Sequence, residues 1–173
     1  TCALPILSIH KALTDSATCA KYGYTTQTIL CMFIPNTYEL YWNISVDKFL
    51  EKMNKENKKF WNFERTQKAK AMNLTKEEVI TMASIVDEET AKPMIAGMYY
   101  NRLKAGMPLQ ADPTIKFALQ DFNIRRIYNN MLTVKSPYNT YKNIGLPPGP
   151  IRIPTVAGID AVLNHVHHNY LYM

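Results

Sequence analysis

The chain has 173 residues, 47% of them hydrophobic, and a formal net charge of +6. That length suits one domain, or one domain with a small lobe, and the apolar content supports a packed core and argues against disorder. No run of about 18 apolar residues occurs, which excludes a membrane-spanning helix within these residues, and Thr1 opens no signal-peptide pattern.

Residues 1–31 read as weakly patterned helix, broken at Lys21-Tyr22-Gly23-Tyr24, with Thr25 or Thr26 as the next cap. Phe33-Ile34-Pro35-Asn36-Thr37-Tyr38 reads as an extended or turn element, because Pro35 disfavours helix before it. Tyr38, Tyr41 and Trp42 make this stretch aromatic, either to anchor a loop on the core or to stack on sugars. Ser45 is a cap for one long surface helix reaching about Ala71, with Val46, Phe49, Leu50 and Met53 at helical spacing.

The best-specified helix begins after Leu74. Thr75 is the N-cap, Glu78 completes a capping box, and Leu74 and Val79 stand at the positions of a hydrophobic staple. This helix is expected over Lys76 to about Thr90. A second follows from about Pro93 to Lys104, with Ile95, Met98, Tyr99 and Leu103 inward and Gly106 ending it. Met107–Thr114 contains Pro108 and Pro113 and reads as an extended loop. Another helix is expected to begin at Ile115–Leu119, and Ser136–Ile151 is again loop. Pro154 and Thr155 open a last helix to about His165, and Tyr170-Leu171-Tyr172 reads as a strand.

The expected fold class is therefore α+β: a helix-rich domain with small β elements and long Pro/Gly/Tyr-rich loops. Within a single domain over 1–173, residues 1–71 form a helical N-terminal portion and 72–173 the core that carries the motifs.

Basic residues recur between Lys48 and Lys70 and at Arg125, Arg126, Lys135, Lys142 and Arg152. They suit a solvated surface, a polyanionic partner or anionic lipid. No recognition helix, zinc pattern or RNA-binding signature is present, so nucleic acid is not an expected partner. Cys2, Cys19 and Cys31 are odd in number and show no metal spacing, which points to buried or incidental thiols. His165, His167 and His168 cluster without a paired Cys or Glu motif, so no metal is expected. Ser84 lacks the Gly-x-Ser-x-Gly setting of a nucleophile.

Asp87, Glu88 and Glu89 are adjacent carboxylates. A helix turns roughly 100° per residue. With Val79 at the centre of the buried stripe, Glu88 points to solvent, while Asp87 and Glu89 flank the stripe nearly equally. Glu89 has the more apolar neighbours, Met82, Ile85 and Val86, which would raise its pKa as a general acid requires. Its place near a helix C-terminus acts in the same direction.

The run Met82-Ala83-Ser84-Ile85-Val86-Asp87-Glu88-Glu89-Thr90 resembles the A-S-I-[IV]-E-K-E-T signature of the YceG-like family, the endolytic murein transglycosylases. Asn101-Arg102-Leu103 and Gly106-Met107-Pro108-Leu109-Gln110-Ala111-Asp112-Pro113-Thr114 are similar to its N-R-L and G-M-x-L-Q-[ST]-D-P-T. Ser136-Pro137-Tyr138-Asn139-Thr140-Tyr141, Gly145-Leu146-Pro147-Pro148-Gly149-Pro150-Ile151, Tyr170-Leu171-Tyr172 and Phe33–Tyr38 also match, in order. Four differences stand out. Asp87 and Glu88 replace the family's first Glu and its Lys. The segment from Thr90 to Ile95 is about four residues shorter than the family pattern. A Gly/His/Asn-rich segment after the last motif is missing, and so are the transmembrane helix and most or all of a LysM-like lobe.

The resemblance implies cleavage of nascent peptidoglycan strands between N-acetylmuramic acid and N-acetylglucosamine, leaving 1,6-anhydro-muramyl ends. It implies that the Glu directly before Thr, here Glu89, is general acid and then base, with no cofactor. Asn101, Gln110, Asn139, Tyr138 and Tyr141 are expected to bind substrate in a glycan cleft. Thr114 and Asp112 belong to the same candidate set, although Asp112 suits a cap of the following helix. The full-length protein is expected to be anchored in the bacterial inner membrane, to face the periplasm and to work beside peptidoglycan synthases. Two alternatives remain: a non-catalytic glycan-binding or scaffold module, and a pyridoxal-phosphate aminodeoxychorismate lyase, a label this family has carried, for which no motif is found.

Overall fold

The computed structural model describes residues 6–89 and 92–172. The chain folds as helices α1 (Ile6–Thr14), α2 (Ser16–Lys21), α3 (Val46–Phe60), α4 (Phe63–Ala71), α5 (Lys76–Val86), α6 (Lys92–Lys104), α7 (Asp112–Leu119) and α8 (Val156–Leu163), with short 3₁₀ turns at Ile29–Met32 and Met131–Thr133. No strand occurs among the described residues, which corrects the expected α+β class to an all-helical fold with long irregular loops.

The expected strand at Tyr170-Leu171-Tyr172 is an irregular tail. Side chains of α6 take its backbone acceptors: Asn101 Nδ2 donates to the carbonyls of His168 (2.6 Å) and Tyr170 (3.1 Å), and Arg102 Nε to that of Leu171 (2.6 Å). Aromatic composition favours a strand only where a neighbouring strand exists to pair with.

Helix α5 is the centre of the molecule. Its first turn is the expected capping box, Thr75 accepting from Glu78 N–H and Glu78 from Thr75 N–H. Every residue from Val79 to Val86 is buried, so α5 packs on all sides, as a helix apolar all round must. Around it stand Ala69 of α4, Ala96 and Tyr99 of α6, Ile159 and Val162 of α8, and Cys31. A smaller cluster of Cys19, Ile29, Met32, Leu50 and Met53 ties together the N-terminal helices. The main core thus draws on both sides of residue 71.

Two helix boundaries differ from expectation. The long helix over 45–71 is broken into α3 and α4: Trp61 is buried in the core, and the Asn62 side chain caps α4 by accepting from Arg65 N–H at 2.9 Å. Arg65 then lies over the Phe60 ring and pairs with Asp160 of α8. Helix α5 ends at Val86 and Asp87–Glu89 form a turn, so the expected helical phase does not extend through the three carboxylates. Thr90, where the helix was expected to end, lies outside the described residues, as does part of the short segment before Ile95.

Candidate active site

The turn after α5 sends three adjacent carboxylates to three environments. Asp87 turns inward, its side chain 2% exposed. It accepts from Thr155 N–H (2.9 Å), from the Thr155 hydroxyl (2.8 Å) and from the Lys92 ammonium. Burial pushes its pKa up, but the hydrogen bonds from Lys92 and Thr155 outweigh this and hold it below the ordinary value. Glu88 points out and pairs with Arg152. Glu89 is half-buried, with its N–H bonded to the carbonyl of Val86 at 3.0 Å.

Glu89 faces a cavity of about 180 Å³ walled by Ile95, Met98, Tyr99, Arg102, Leu109, Gln110 and Tyr172. No side chain among the described residues hydrogen-bonds its carboxyl. Burial raises its pKa above the ordinary value, and the charges of Asp112 and Glu88 raise it further. A carboxyl whose pKa is raised in this way suits a general acid.

The opposite wall is the segment 107–114. Gly106 adopts φ +65° and lets the chain double back, so that Met107 N–H reaches the carbonyl of Arg102 at 2.9 Å. Gln110 is left-handed as well (φ 54°), and its N–H bonds to the carbonyl of Thr140 at 3.0 Å. The buried Thr140 hydroxyl accepts from Ala111 N–H (3.0 Å) and lies 2.8 Å from the Thr114 hydroxyl, which also donates to the carbonyl of Ala111. These bonds lock 110–114 to the 139–141 turn.

Asp112 does not cap α7. It is the first helical residue, and the cap position falls to Ala111, which offers no side-chain bond. The Asp112 carboxylate instead accepts from the Tyr141 hydroxyl at 2.5 Å. Burial, followed by Asp112, raises the pKa of Tyr141.

Of the candidates, Glu89 and Gln110 line one cavity, and Asp112 and Tyr141 are joined by a hydrogen bond. Other candidates serve as scaffold. Asn139 is fully buried: its amide donates to the carbonyls of Leu132 (3.0 Å) and Val134 (2.8 Å), and its oxygen accepts from Tyr141 N–H (3.0 Å). Thr114 is also fully buried, and Asn101 holds the C-terminal tail. Tyr138 packs on Phe117, ring centroids 4.7 Å apart. Phe117 in turn walls a larger cavity of about 430 Å³, together with Glu88, Pro113, Phe122 and Arg152. Glu88 and Pro113 line this larger cavity, whereas Glu89 and Gln110 line the smaller one.

Two site residues were not picked out from sequence as functional. Tyr99 was expected only as core, and burial raises the pKa of its hydroxyl, with Glu89 adding to the rise. Arg102 is 6% exposed and donates to the carbonyls of Leu171 and Leu109 and to the Gln110 amide oxygen. Its position three residues after Tyr99, on the inward face of α6, was the available signal. Among the histidines, His165 packs on Tyr100 and His168 reaches the carbonyl of Met94, and neither lines the Glu89 cavity.

Comparison with known proteins gives concordant results. The chain is 43% identical over 99 residues to the endolytic murein transglycosylase of Bacillus subtilis strain 168, covering 55% of this chain and 27% of that protein. It is 35% identical over 135 residues to the endolytic murein transglycosylase of Streptococcus pneumoniae serotype 2 strain D39, covering 73% of this chain and 24% of that one. The chain thus spans about a quarter of the length of these relatives. A crystal structure of a YceG-like protein from Listeria monocytogenes superposes with a TM-score of 0.77 and 29% identity, over 96% of this chain and 60% of that one. The YceG-like family profile matches residues 4–173, and the chain belongs to that family.

Proposed function

We propose that this chain is the catalytic portion of an endolytic peptidoglycan lytic transglycosylase, with Glu89 as its general acid and base. The observation that carries this reading is the half-buried Glu89 carboxyl, its pKa raised by burial, lining a cavity walled by Tyr99, Arg102 and Gln110. The names of the relatives support the same reading.

In this mechanism Glu89 protonates the glycosidic oxygen between N-acetylmuramic acid and N-acetylglucosamine. The muramyl C6 hydroxyl then attacks C1 of its own ring and returns its proton to Glu89. The nucleophile is already part of the substrate, so no water has to be activated, and a 1,6-anhydro end results. Gln110 and Tyr141 are the proposed polar contacts to the sugar, while Asn139, Thr114 and Asn101 keep the wall in place. Tyr138 is proposed to support the larger arm of the cleft through Phe117.

The whole protein, in this reading, is held at the bacterial inner membrane and works on nascent strands beside peptidoglycan synthases. No helix among the described residues is long and apolar enough to cross a membrane, so the anchor would be a separate segment. A glycan-binding role without catalysis is the second reading, favoured by Tyr41 and Trp42, which stand 85% and 77% exposed.

Digestion of peptidoglycan by the full-length protein and by its Glu89→Gln variant, with products identified by mass, tests the proposal. Anhydro-muramyl ends are expected from the parent and not from the variant. Reducing muramyl ends would identify a hydrolase instead, and equal products from both proteins would remove Glu89 from the chemistry.

A further inference from the structure

We propose that Asp112 is a second catalytic residue of this site, its carboxylate held by the Tyr141 hydroxyl so as to face the positive charge that develops at the muramyl C1. The inference rests on the reading of Glu89 as general acid.

Four observations carry it. Asp112 occupies the first position of α7, where an acidic side chain would ordinarily serve the helix end, yet the structure gives it no capping bond. Its carboxylate accepts a hydrogen bond from the Tyr141 hydroxyl, and the residue is exposed, so one carboxylate oxygen is committed and the group still meets solvent or ligand. The backbone beside it is tightly fixed: Ala111 N–H is bound by Thr140, and Gln110 is held in a left-handed conformation between Thr140 and Arg102. Finally, Asp112 follows by two residues Gln110, which lines the Glu89 cavity, and its charge acts on the Glu89 carboxyl.

The chemistry calls for such a group. As the C1–O bond breaks, the Glu89 proton passes to the leaving oxygen and that oxygen takes the bonding electron pair. Positive charge spreads over C1 and the ring oxygen. A fixed anion aimed at that charge lowers the barrier without forming a bond. The C6 oxygen then bonds to C1 and its proton goes to Glu89, while Asp112 neither forms a bond nor transfers a proton. The same anion disfavours ionisation of Glu89, so a single carboxylate both stabilises the transition state and keeps the acid loaded.

The groups facing Glu89 are Glu88 in its own turn, Tyr99 and Arg102 from α6, and Asp112 from α7 with Tyr141 behind it. Asp112→Asn removes one negative charge from this set and keeps the shape. In the full-length protein it is expected to lower kcat by about 100-fold or more, a size typical of losing one fixed electrostatic group. The KM should stay within a few-fold. The basic limb of the kcat/KM profile should move to lower pH, because Glu89 then loses its proton more readily. Tyr141→Phe should give a smaller loss in the same direction.

A kcat within about three-fold of the parent would overturn the proposal. So would a large loss with an unmoved basic limb, since that is the mark of a purely structural role. Glu89→Gln run alongside separates the two ideas. If it retains activity, the general-acid reading fails; if it is inactive while Asp112→Asn behaves as the parent, this inference alone fails.

Discussion

The Asp87 carboxylate accepts both the backbone N–H and the hydroxyl of Thr155, fastening the end of α5 to the start of α8. Thr155 is itself the cap of α8, accepting from Gly158 N–H at 3.0 Å, so one residue closes a helix and receives the carboxylate at that helix's positive end. Lys92 supplies a third donor, from α6. Asp87→Ala leaves these donors without their acceptor and is expected to cost about 3 kcal/mol, read as a lower denaturation midpoint. Because the folded pKa lies below the ordinary value of 3.8, this contribution is complete above that value. It is lost as pH falls through the lower folded pKa. Asp87→Asn should therefore flatten the acid end of the stability profile below about pH 4; an unchanged acid slope would count against the assignment.

Gly158 has a steric reason to be glycine. A Cβ there would stand 2.8 Å from Asp87 Oδ1, an atom held by two donors and unable to swing aside freely. Gly158→Ala, although it improves helix propensity, is expected to destabilise by about 1–3 kcal/mol. A thermal melt should show a Tm lower by several degrees. If the Tm rose, the propensity gain would have won and the Asp87 network would be looser than described.

Glu89 predicts the opposite sign. Burial and neighbouring charge raise its folded pKa above the ordinary value of 4.5. Its favourable contribution is thus complete below about pH 4.5 and declines as pH rises through the folded pKa. Glu89→Gln should be at least as stable as the parent at neutral pH while losing activity, the pattern expected when a site holds a group for function at the expense of stability. Melts at pH 4 and pH 7.5 test this: the variant's Tm relative to the parent should be more favourable at the higher pH.

How far the sequence specified this site depends on whether each feature was local. The start of α5 was legible because its capping box needs only Thr75 and Glu78. Its end was not, because no Gly or Pro marks it: the helix stops where Asp87 is captured by Thr155, 68 residues away. The phase argument consequently placed Asp87 and Glu89 on equal flanks, whereas one is structural and the other lines a cavity. The interruption at Asn62 was hidden by the charged pattern that continues across it, though Asn62 is itself a capping residue. The expected strand failed for a similar reason, as aromatic residues at 170 and 172 carry no information about whether a partner strand exists. Asp112 looked like a cap from its neighbours, and only the fold reveals Tyr141 beside it.

Asn139 separates scaffolding from substrate binding. Its buried amide satisfies the carbonyls of Leu132 and Val134 and the N–H of Tyr141. Asn139→Ala strands all three groups and should cost about 2–4 kcal/mol. Loss of stability is expected to dominate, with catalytic damage arriving through a displaced Tyr141. A variant with parental Tm and a raised KM would instead make Asn139 a direct substrate contact.

Arg102 joins the wall of the Glu89 cavity to the C-terminal tail. Its Nε donates to Leu171 while Nη1 reaches Leu109 and Gln110, and the guanidinium lies 4.8 Å from the Tyr172 ring centroid. These acceptors point in different directions, which suits a planar fork and not a single ammonium. Arg102→Lys keeps the charge but can serve one end only, so the tail should release first. Limited proteolysis should then cut near residues 169–172 faster than in the parent, and activity should fall by about tenfold or more as Gln110 loses its restraint. If the lysine variant resists proteolysis as the parent does, the tail is held without Arg102, by Asn101 and the His168 contact to Met94, and Arg102 serves the Gln110 segment only.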